Sequence, residues 1–192
     1  MNQILIEVLE KIRPDKNESK KIESLAQNLI DKVNAVEGLS FEPLIVGSVA
    51  KGTNLKGADI DLFIKFNTET NLKENGLKIA RKVLPEGKEL YAQHPYLRGE
   101  IEGVGIDVVP CYSINDSSKP ISAVDRTPFH TQWVNENISG KEDEVRLSKQ
   151  FLKGAGAYGA NAAIGGFSGY LVEILCIKYG GFKKLVNQLS QW

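Results

Sequence analysis

The sequence has few cysteines and no long uninterrupted apolar run. Its 192 residues include only Cys111 and Cys176, which are too few for a disulfide scaffold and form no zinc-binding pattern. The most apolar stretch, residues 162–177, is interrupted by Ser168 and Glu173 and is too short to cross a bilayer. We therefore expect free thiols and a cytoplasmic protein with no membrane partner.

The chain also lacks an excess of charge of either sign. It has 24 Lys and Arg residues against 24 Asp and Glu residues, so its formal net charge is zero. No overall basic character points to a nucleic-acid partner, and any surface that binds RNA would have to be local. With 42% apolar and 25% charged residues, the composition is that of a globular protein with one large domain or two small ones.

The pattern of apolar residues predicts an α+β fold that changes character near residue 115. Up to that point strands and helices are mixed, and Pro110 is expected to end the last strand. Beyond it the pattern is helical only, and Thr127 and Pro128 are expected to open the first helix. The predicted strands are 41–46, 58–66, 89–93, 97–101 and 104–109, and the predicted helices are 16–37, 72–84, 129–138, 141–153, 168–179 and 182–191.

Three aspartates on two predicted strands point to chemistry. Asp59 and Asp61 are two residues apart on the strand at 58–66, so both carboxylates leave the same face of that strand. Asp107 is the only acidic residue in the apolar strand at 104–109, and it joins them if the two strands are neighbours. Clustered carboxylates repel one another unless a cation lies between them, and these hard oxygen ligands suit Mg²⁺.

A Gly-Ser turn precedes the acidic pair. Gly47 and Ser48 follow the strand at 41–46 and open a helix, so they present backbone N–H groups and a hydroxyl to phosphate oxygens, and Lys51 adds a positive charge. Taken alone, such a turn or such an acidic pair is commonly a solvated loop. Together with the third aspartate, their order and spacing favour a site that uses two Mg²⁺ ions for phosphoryl or nucleotidyl transfer.

This order of motifs resembles that of the polymerase-β-like nucleotidyltransferases. More closely, the chain resembles the archaeal CCA-adding enzymes, which are class I tRNA nucleotidyltransferases. The matching segments run from about residue 44 to residue 183. They are LIVGSVAKGTNLKGADIDLFIKF, YAQHPYLRGEIEGVGIDVVPCY, SAVDRTPFHTQWV, EVRLSKQFLKGAGAYGA and GFSGYLVEILCIKYGGF.

The resemblance implies a nucleotidyltransferase head of mixed sheet and helices at residues 1–115, followed by a helical nucleotide-binding domain at residues 116–192. It implies an enzyme that adds C, C and A to the tRNA 3′ end from CTP and ATP without a template. Asp59 and Asp61 would hold two Mg²⁺ ions, and Asp107 would complete the metal site and help deprotonate the primer 3′-hydroxyl.

The nucleotide would be bound by seven residues that match family positions. Ser48 would contact the triphosphate, His130 and Lys149 would contact phosphates, and an aromatic ring would pack on the nucleotide. The full set is Gly47, Ser48, Lys51, Thr127, His130, Lys149 and Tyr158.

Three of the candidate nucleotide-binding residues in the second half of the chain also have a simpler, structural interpretation. His130 could be a helix residue hydrogen-bonded to a neighbour, and Tyr158 could be an ordinary aromatic in a glycine-rich loop. Lys149 shares a helix face with Arg146 and Lys153, so a solvated basic face is the default interpretation.

The chain departs from the family pattern in two ways. The family usually carries Arg where this chain has Lys51, and Lys lacks the bidentate fork, so a looser phosphate contact is expected. Family members are also longer, with body and tail domains that grip the tRNA and a downstream Arg used in choosing C or A. We expect a truncated chain, one piece of a split enzyme whose second chain supplies the RNA-binding domains, or a reduced form.

Two other functions stay open from the sequence. One is a different nucleotidyltransferase with the same head, either poly(A) polymerase-like or modifying a small molecule. The other is a nucleotide-binding subunit that needs a separate RNA-binding chain for activity. Nucleotide and acceptor preference would separate these alternatives from CCA addition.

Overall fold

The computed structural model describes residues 2–38, 40–92, 95–160 and 163–191. Within these described residues, five strands and eight α-helices follow one another as a mixed α/β part and then a run of helices. In chain order the elements are α1 (Gln3–Ile12), α2 (Lys16–Asn34), β1 (Phe41–Val46), α3 (Gly47–Ala50), β2 (Ile60–Phe66), a π-helical turn (Leu72–Gly76), α4 (Leu77–Val83), β3 (Lys88–Tyr91), β4 (Pro95–Ile101), β5 (Val104–Tyr112), a 3-10 turn (Ala123–Arg126), α5 (Thr127–Asn137), α6 (Glu142–Gly154), α7 (Gly169–Tyr179) and α8 (Phe182–Leu189).

The strands form one mixed sheet in the order β1-β2-β5-β4-β3. β2 and β5 pair in parallel, whereas the other neighbouring strands pair antiparallel. The predicted mixed sheet with helices is therefore confirmed. The predicted strand at 89–93 corresponds to β3, and residue 93 lies outside the described residues.

The two faces of β2 pack into different apolar clusters. One face carries Ile60, Leu62, Ile64 and Phe66 into the main core, which α2 and α4 also line. Phe63 on the opposite face joins a smaller cluster. The alternation that predicts this strand is confirmed, because successive side chains leave a strand on opposite faces.

β5 continues two residues past Pro110, so the prediction that this proline ends the strand is wrong. The register of β5 with β4 ends at Val108, whereas its pairing with β2 runs on to Tyr112. The Ser113 N–H donates to Phe66 O on the β2 side, so the alternation of the backbone turns the nitrogen of Pro110 to the other side. The missing N–H of Pro110 therefore removes no bond to β2.

The α-helix predicted to open at Thr127–Pro128 begins at Thr127, but a helical turn that was not predicted precedes it. A 3-10 turn at Ala123–Arg126 runs directly into α5, and Thr127 already has helical dihedral angles of φ −60° and ψ −40°. The carboxylate of Asp125 accepts the backbone N–H groups of Ile121 and Ser122, at 3.1 and 2.6 Å. Asp125, rather than Thr127, therefore organises the start of this helical segment.

The chain folds into two compact units that are each discontinuous in sequence. The α/β unit comprises residues 16–50 and 57–131, and the helical unit comprises residues 1–15, 51–56 and 132–192. A single boundary at 115/116 does not separate these units, because α1 packs on α6 and residues 51–56 belong with the later helices. The functional division into a catalytic head and a nucleotide-binding domain stays a prediction.

The helical unit has an apolar core of its own. Both cysteines of the chain are free and buried, as predicted, and burial raises the pKa of Cys176 in this core to about 11. Among the described residues, no helix is long and apolar enough to span a bilayer. The buried core residues are Val134, Ile138, Val145, Leu175, Cys176 and Leu185.

We predict that Asp125→Ala strongly destabilises the α/β unit. Asp125 is fully buried, and its carboxylate accepts the N–H groups of Tyr112 at 2.8 Å and of Ile121 and Ser122. Removing it leaves these donors without their acceptor, which costs about 3 kcal/mol of unfolding free energy in urea titrations. Asp116→Ala is the matched control, because exposed Asp116 bonds one N–H, that of Ser118. Equal losses from the two variants would contradict the anchoring role of Asp125.

Candidate active site

The turn between β1 and α3 lies directly against one of the aspartates. Gly47 has a φ of +71°, and a Cβ at this position would collide with Oδ2 of Asp61. Only glycine therefore allows both this backbone conformation and the close approach of the carboxylate. Ser48 follows in the first turn of α3 and is half-buried.

The three predicted metal-binding aspartates lie in one region of the α/β unit. Asp61 and Asp107 are direct partners in the parallel register of β2 and β5. The carboxylate of Asp59 lies over Gly105, where a Cβ on Gly105 would collide with it. The strand adjacency that the sequence argument requires is therefore present, and glycines on the neighbouring chain segments make room for two of the carboxylates.

Arg98 on β4 lies among these carboxylates. It is the antiparallel partner of Asp107, and its guanidinium donates to Asp107 Oδ2 at 2.9 Å and to Asp59 Oδ2. Burial raises the pKa of Asp107, and the charge of Asp59 adds to this effect while Arg98 opposes it. No motif singles out Arg98, although its place on the first strand of the predicted hairpin, opposite the strand that carries Asp107, was a usable signal.

The donor set fits a divalent cation, with Asp59, Asp61 and Asp107 as the residues that could hold it. Oδ1 of Asp107 is buried and has no hydrogen-bond partner among the described residues, so one oxygen of this carboxylate is available as a ligand. Carboxylate oxygens are the ligands that Mg²⁺ prefers. Within the described ranges, no group of three His, Cys, Asp or Glu side chains is placed to hold a metal ion as the side chains stand, with Arg98 bonded to Asp59 and Asp107.

The helical unit contains a buried charge cluster made of Lys51, Thr53, Lys149 and Glu173. Glu173 is fully buried on α7 and accepts from Lys51 at 2.5 Å, from Thr53 Oγ1 at 2.6 Å and from Lys149 at 2.9 Å. Lys149 also donates to Thr53 O at 3.2 Å and to Thr53 Oγ1 at 3.0 Å. Three acceptors thus match the three protons of the Lys149 ammonium group.

The buried charge cluster changes the interpretation of both lysines. Lys149 is 2% exposed and Lys51 is 8% exposed, so neither lies on a solvated basic face. Burial lowers the pKa of Lys149, and the neighbouring Glu173 charge opposes that shift. The sequence analysis did not single out Glu173 as functional; a lone carboxylate in the most apolar segment was the signal for it.

The remaining predicted nucleotide-binding residues lie in both units. Tyr158 is half-buried in the helical unit. Its hydroxyl lies near Gly169, and the side chain of Lys149 lies near the same glycine. The ammonium of Lys153 lies 5.6 Å from the centroid of the Tyr158 ring. Burial raises the pKa of Tyr158. Thr127 and His130 lie one helical turn apart on α5 in the α/β unit, and both are partly buried.

Comparisons with known proteins identify related families for both parts of the chain. Residues 40–130 match the family described as "Nucleotidyltransferase domain". Residues 143–192 match the family described as "tRNA nucleotidyltransferase, second domain".

Several curated archaeal relatives are similar along nearly the whole chain. A CCA-adding enzyme of Thermoplasma volcanium is 46% identical over 95% of this chain, which covers 44% of the relative. A CCA-adding enzyme of Thermoplasma acidophilum is 45% identical over 96% of this chain, which covers 86% of that relative. The chain thus spans less than half the length of the Thermoplasma volcanium relative.

Solved structures show the same fold at low sequence identity. The Cid1 poly(U) polymerase, solved with Mg and 3′-dATP bound, has a TM-score of 0.70 and 17% identity. The match covers 92% of this chain and 54% of that one. The GLD-2/RNP-8 complex gives a TM-score of 0.66 and 15% identity over 92% of this chain and 54% of that chain. The sheet and its helices therefore have the polymerase-β-like nucleotidyltransferase fold.

We predict that Glu173→Gln destabilises the helical unit strongly. The substitution removes the only carboxylate of the buried charge cluster and leaves two buried ammonium groups without their counter-charge. Breaking a buried ion pair in this way costs about 4 kcal/mol of unfolding free energy, measured by urea titration. Glu7→Gln on exposed α1 is the matched control and should leave stability nearly unchanged.

The loss of unfolding free energy caused by Glu173→Gln should depend on pH. Burial would raise the pKa of Glu173, but the charges of Lys149 and Lys51 together with hydrogen bonds hold it below its ordinary value of 4.5. A carboxyl with a lowered folded pKa contributes stability that is complete above pH 4.5 and is lost as the pH falls through that folded pKa. The gap in melting temperature between wild type and variant should shrink below pH 4.5; a gap that widens there would contradict the account.

Proposed function

The chain belongs to the family of archaeal CCA-adding enzymes, and we propose that it catalyses the addition of C, C and A to the 3′ end of tRNA from CTP and ATP. The observation that carries this proposal is the pairing of Asp61 with Asp107 on parallel strands, with Asp59 beside them and the Gly47 turn against Asp61. We propose a cytoplasmic location for this activity, because tRNA is its substrate.

In the proposed reaction the primer 3′-hydroxyl attacks the α-phosphorus of the nucleotide and pyrophosphate leaves. Asp59, Asp61 and Asp107 would hold two Mg²⁺ ions, which supply charge neutralisation for the triphosphate and activation of the hydroxyl. Asp107 also accepts the hydroxyl proton.

The triphosphate is proposed to lie at the turn between β1 and α3. The backbone N–H groups beside Gly47 and the hydroxyl of Ser48 are suited to bind phosphate oxygens. Lys51 and Lys149 act through the buried charge cluster, where two ammonium groups against one carboxylate leave a net positive charge. This fixed charge favours a polyanionic ligand, although the ammonium groups are engaged by Glu173 and Thr53.

The base and ribose are proposed to contact the remaining residues that match positions of the family. Tyr158 offers an aromatic ring for packing on the nucleotide. Thr127 lines the nucleotide pocket, and His130 contacts a phosphate. The relatives extend well beyond the matched length, so we propose that the body of the tRNA is held by a region outside these residues, in the same chain or in a second chain.

The test is incubation with Mg²⁺, labelled CTP or ATP, and tRNA that lacks its terminal C, C and A. The proposal expects two C residues and then one A, with addition ending there. Long tails on unrelated RNA would instead support a poly(A) polymerase-like enzyme. Nucleotide binding that never leads to incorporation would indicate a nucleotide-binding subunit.

We predict that Asp107→Asn lowers the rate of nucleotide incorporation by about 100-fold or more, because it removes a metal ligand and the proton acceptor. The fold should persist, since the amide has the same size and the change removes a partly buried charge. Asp116→Asn is the matched control on an exposed loop. Near-normal incorporation by a folded Asp107→Asn variant would remove this residue from the mechanism.

A further inference from the structure

The residues opposite one another across four strands form a row of charges on the sheet. In register order the row is Asp61 on β2, Asp107 on β5, Arg98 on β4 and Lys88 on β3. Directly paired residues of neighbouring strands share one face of a sheet, so two acidic side chains are followed by two basic ones. Arg98 lies at the junction between the acidic and the basic half.

The guanidinium of Arg98 occupies one oxygen on each of two carboxylates that a divalent cation would bind. It donates to Oδ2 of Asp107 at 2.9 Å and to Oδ2 of Asp59, which leaves Oδ1 of Asp107 as the buried oxygen without a partner among the described residues. Carboxylate lone pairs that accept from a guanidinium are not free to coordinate a metal. Arg98 and the metal therefore compete for two of the three aspartates.

The guanidinium of Arg98 can also move away from the two carboxylates into solvent. Its side chain is 44% exposed, whereas that of Asp107 is 15% exposed, so the arginine has access to solvent and the aspartate has little. Arginine has a long side chain with several rotatable bonds, and the β4 backbone can stay in register while the guanidinium moves.

We propose that Arg98 is a positioning residue that acts as an internal cation: without metal it holds Asp59 and Asp107 together, and a divalent cation must displace it to bind. This inference rests on the proposed function, because it takes those aspartates as metal ligands. It predicts that Arg98 weakens the binding of divalent cations by the protein alone, even though it lies within the metal site.

The test is the affinity of the nucleotide-free protein for Mn²⁺, measured from the paramagnetic signal of the free ion. Arg98→Ala and Arg98→Met should each bind Mn²⁺ at least fivefold more tightly than wild type, because the carboxylates of Asp59 and Asp107 then lose the cation that competes with the metal. Arg81→Ala is the matched control: Arg81 also pairs with a carboxylate of the α/β unit, Glu89, and should leave Mn²⁺ affinity unchanged. The methionine variant keeps the apolar stem, so the test stands if the alanine variant folds poorly.

Thermal unfolding separates this role from a merely structural one. Without metal, Arg98→Met should melt at a lower temperature than wild type, because the carboxylates then repel one another. The rise in melting temperature on adding Mn²⁺ should be larger for the variant than for wild type. Unchanged or weaker Mn²⁺ affinity in folded Arg98→Met would overturn the proposal.

One further variant distinguishes failure of this inference from failure of the proposed function. If the Asp107→Asn variant binds Mn²⁺ as tightly as wild type does, the assigned metal site itself is wrong, and both proposals fall. If binding depends on Asp107 but is the same with and without Arg98, only the competition by Arg98 is refuted.

Discussion

The parallel pairing of β2 with β5 is the constraint on which the candidate active site depends. It sets Asp61 directly opposite Asp107, and the same register places Ile60 against Ile106 and Leu62 against Val108 in the main core. A slip of one residue would turn the apolar side chains out of the core as well as separate the carboxylates. Burial of the apolar residues therefore holds the acidic residues together against their mutual repulsion.

Each unit brings side chains of like charge close together, and the two units neutralise this charge differently. The α/β unit gathers carboxylates and offsets them with the exposed Arg98, which a metal can replace. The helical unit gathers two lysines around Glu173, and all three charges are buried and paired with one another. An exposed counter-ion suits a site that exchanges ligands, whereas a buried cluster suits a fixed arrangement of charge.

Local patterns predicted the fold well, and they failed where a distant residue decides the outcome. The alternation over residues 58–66 identifies β2 because one buried face alone accounts for it. The sequence predicts a strand end at Pro110, because it does not show that the nitrogen of this residue faces away from β2. The 3-10 turn before α5 has a local cause instead: Asp125 accepts the backbone N–H groups of Ile121 and Ser122, which the periodicity of apolar residues does not show.

The acidic residues of the site were visible in the sequence, but their counter-charges were not. Asp59, Asp61 and Asp107 stand out because burying a carboxylate in an apolar strand costs free energy unless it is paired or binds a metal. Arg98 and Glu173 become meaningful only when the strand register and the helix packing are known, since their partners are 9 to 122 residues away in sequence. The burial of Lys149 likewise depends on contacts with residues 51–56, which no local pattern reveals.

The central claim is that the carboxylates brought together by β2 and β5 bind the divalent cation used in nucleotidyl transfer. Anomalous X-ray diffraction from crystals containing Mn²⁺ and CTP tests this claim most directly. The account predicts an anomalous peak coordinated by Asp61 and Asp107, with the guanidinium of Arg98 moved off the aspartates. Mn²⁺ found only on the triphosphate, with Arg98 still bridging Asp59 and Asp107, would contradict it.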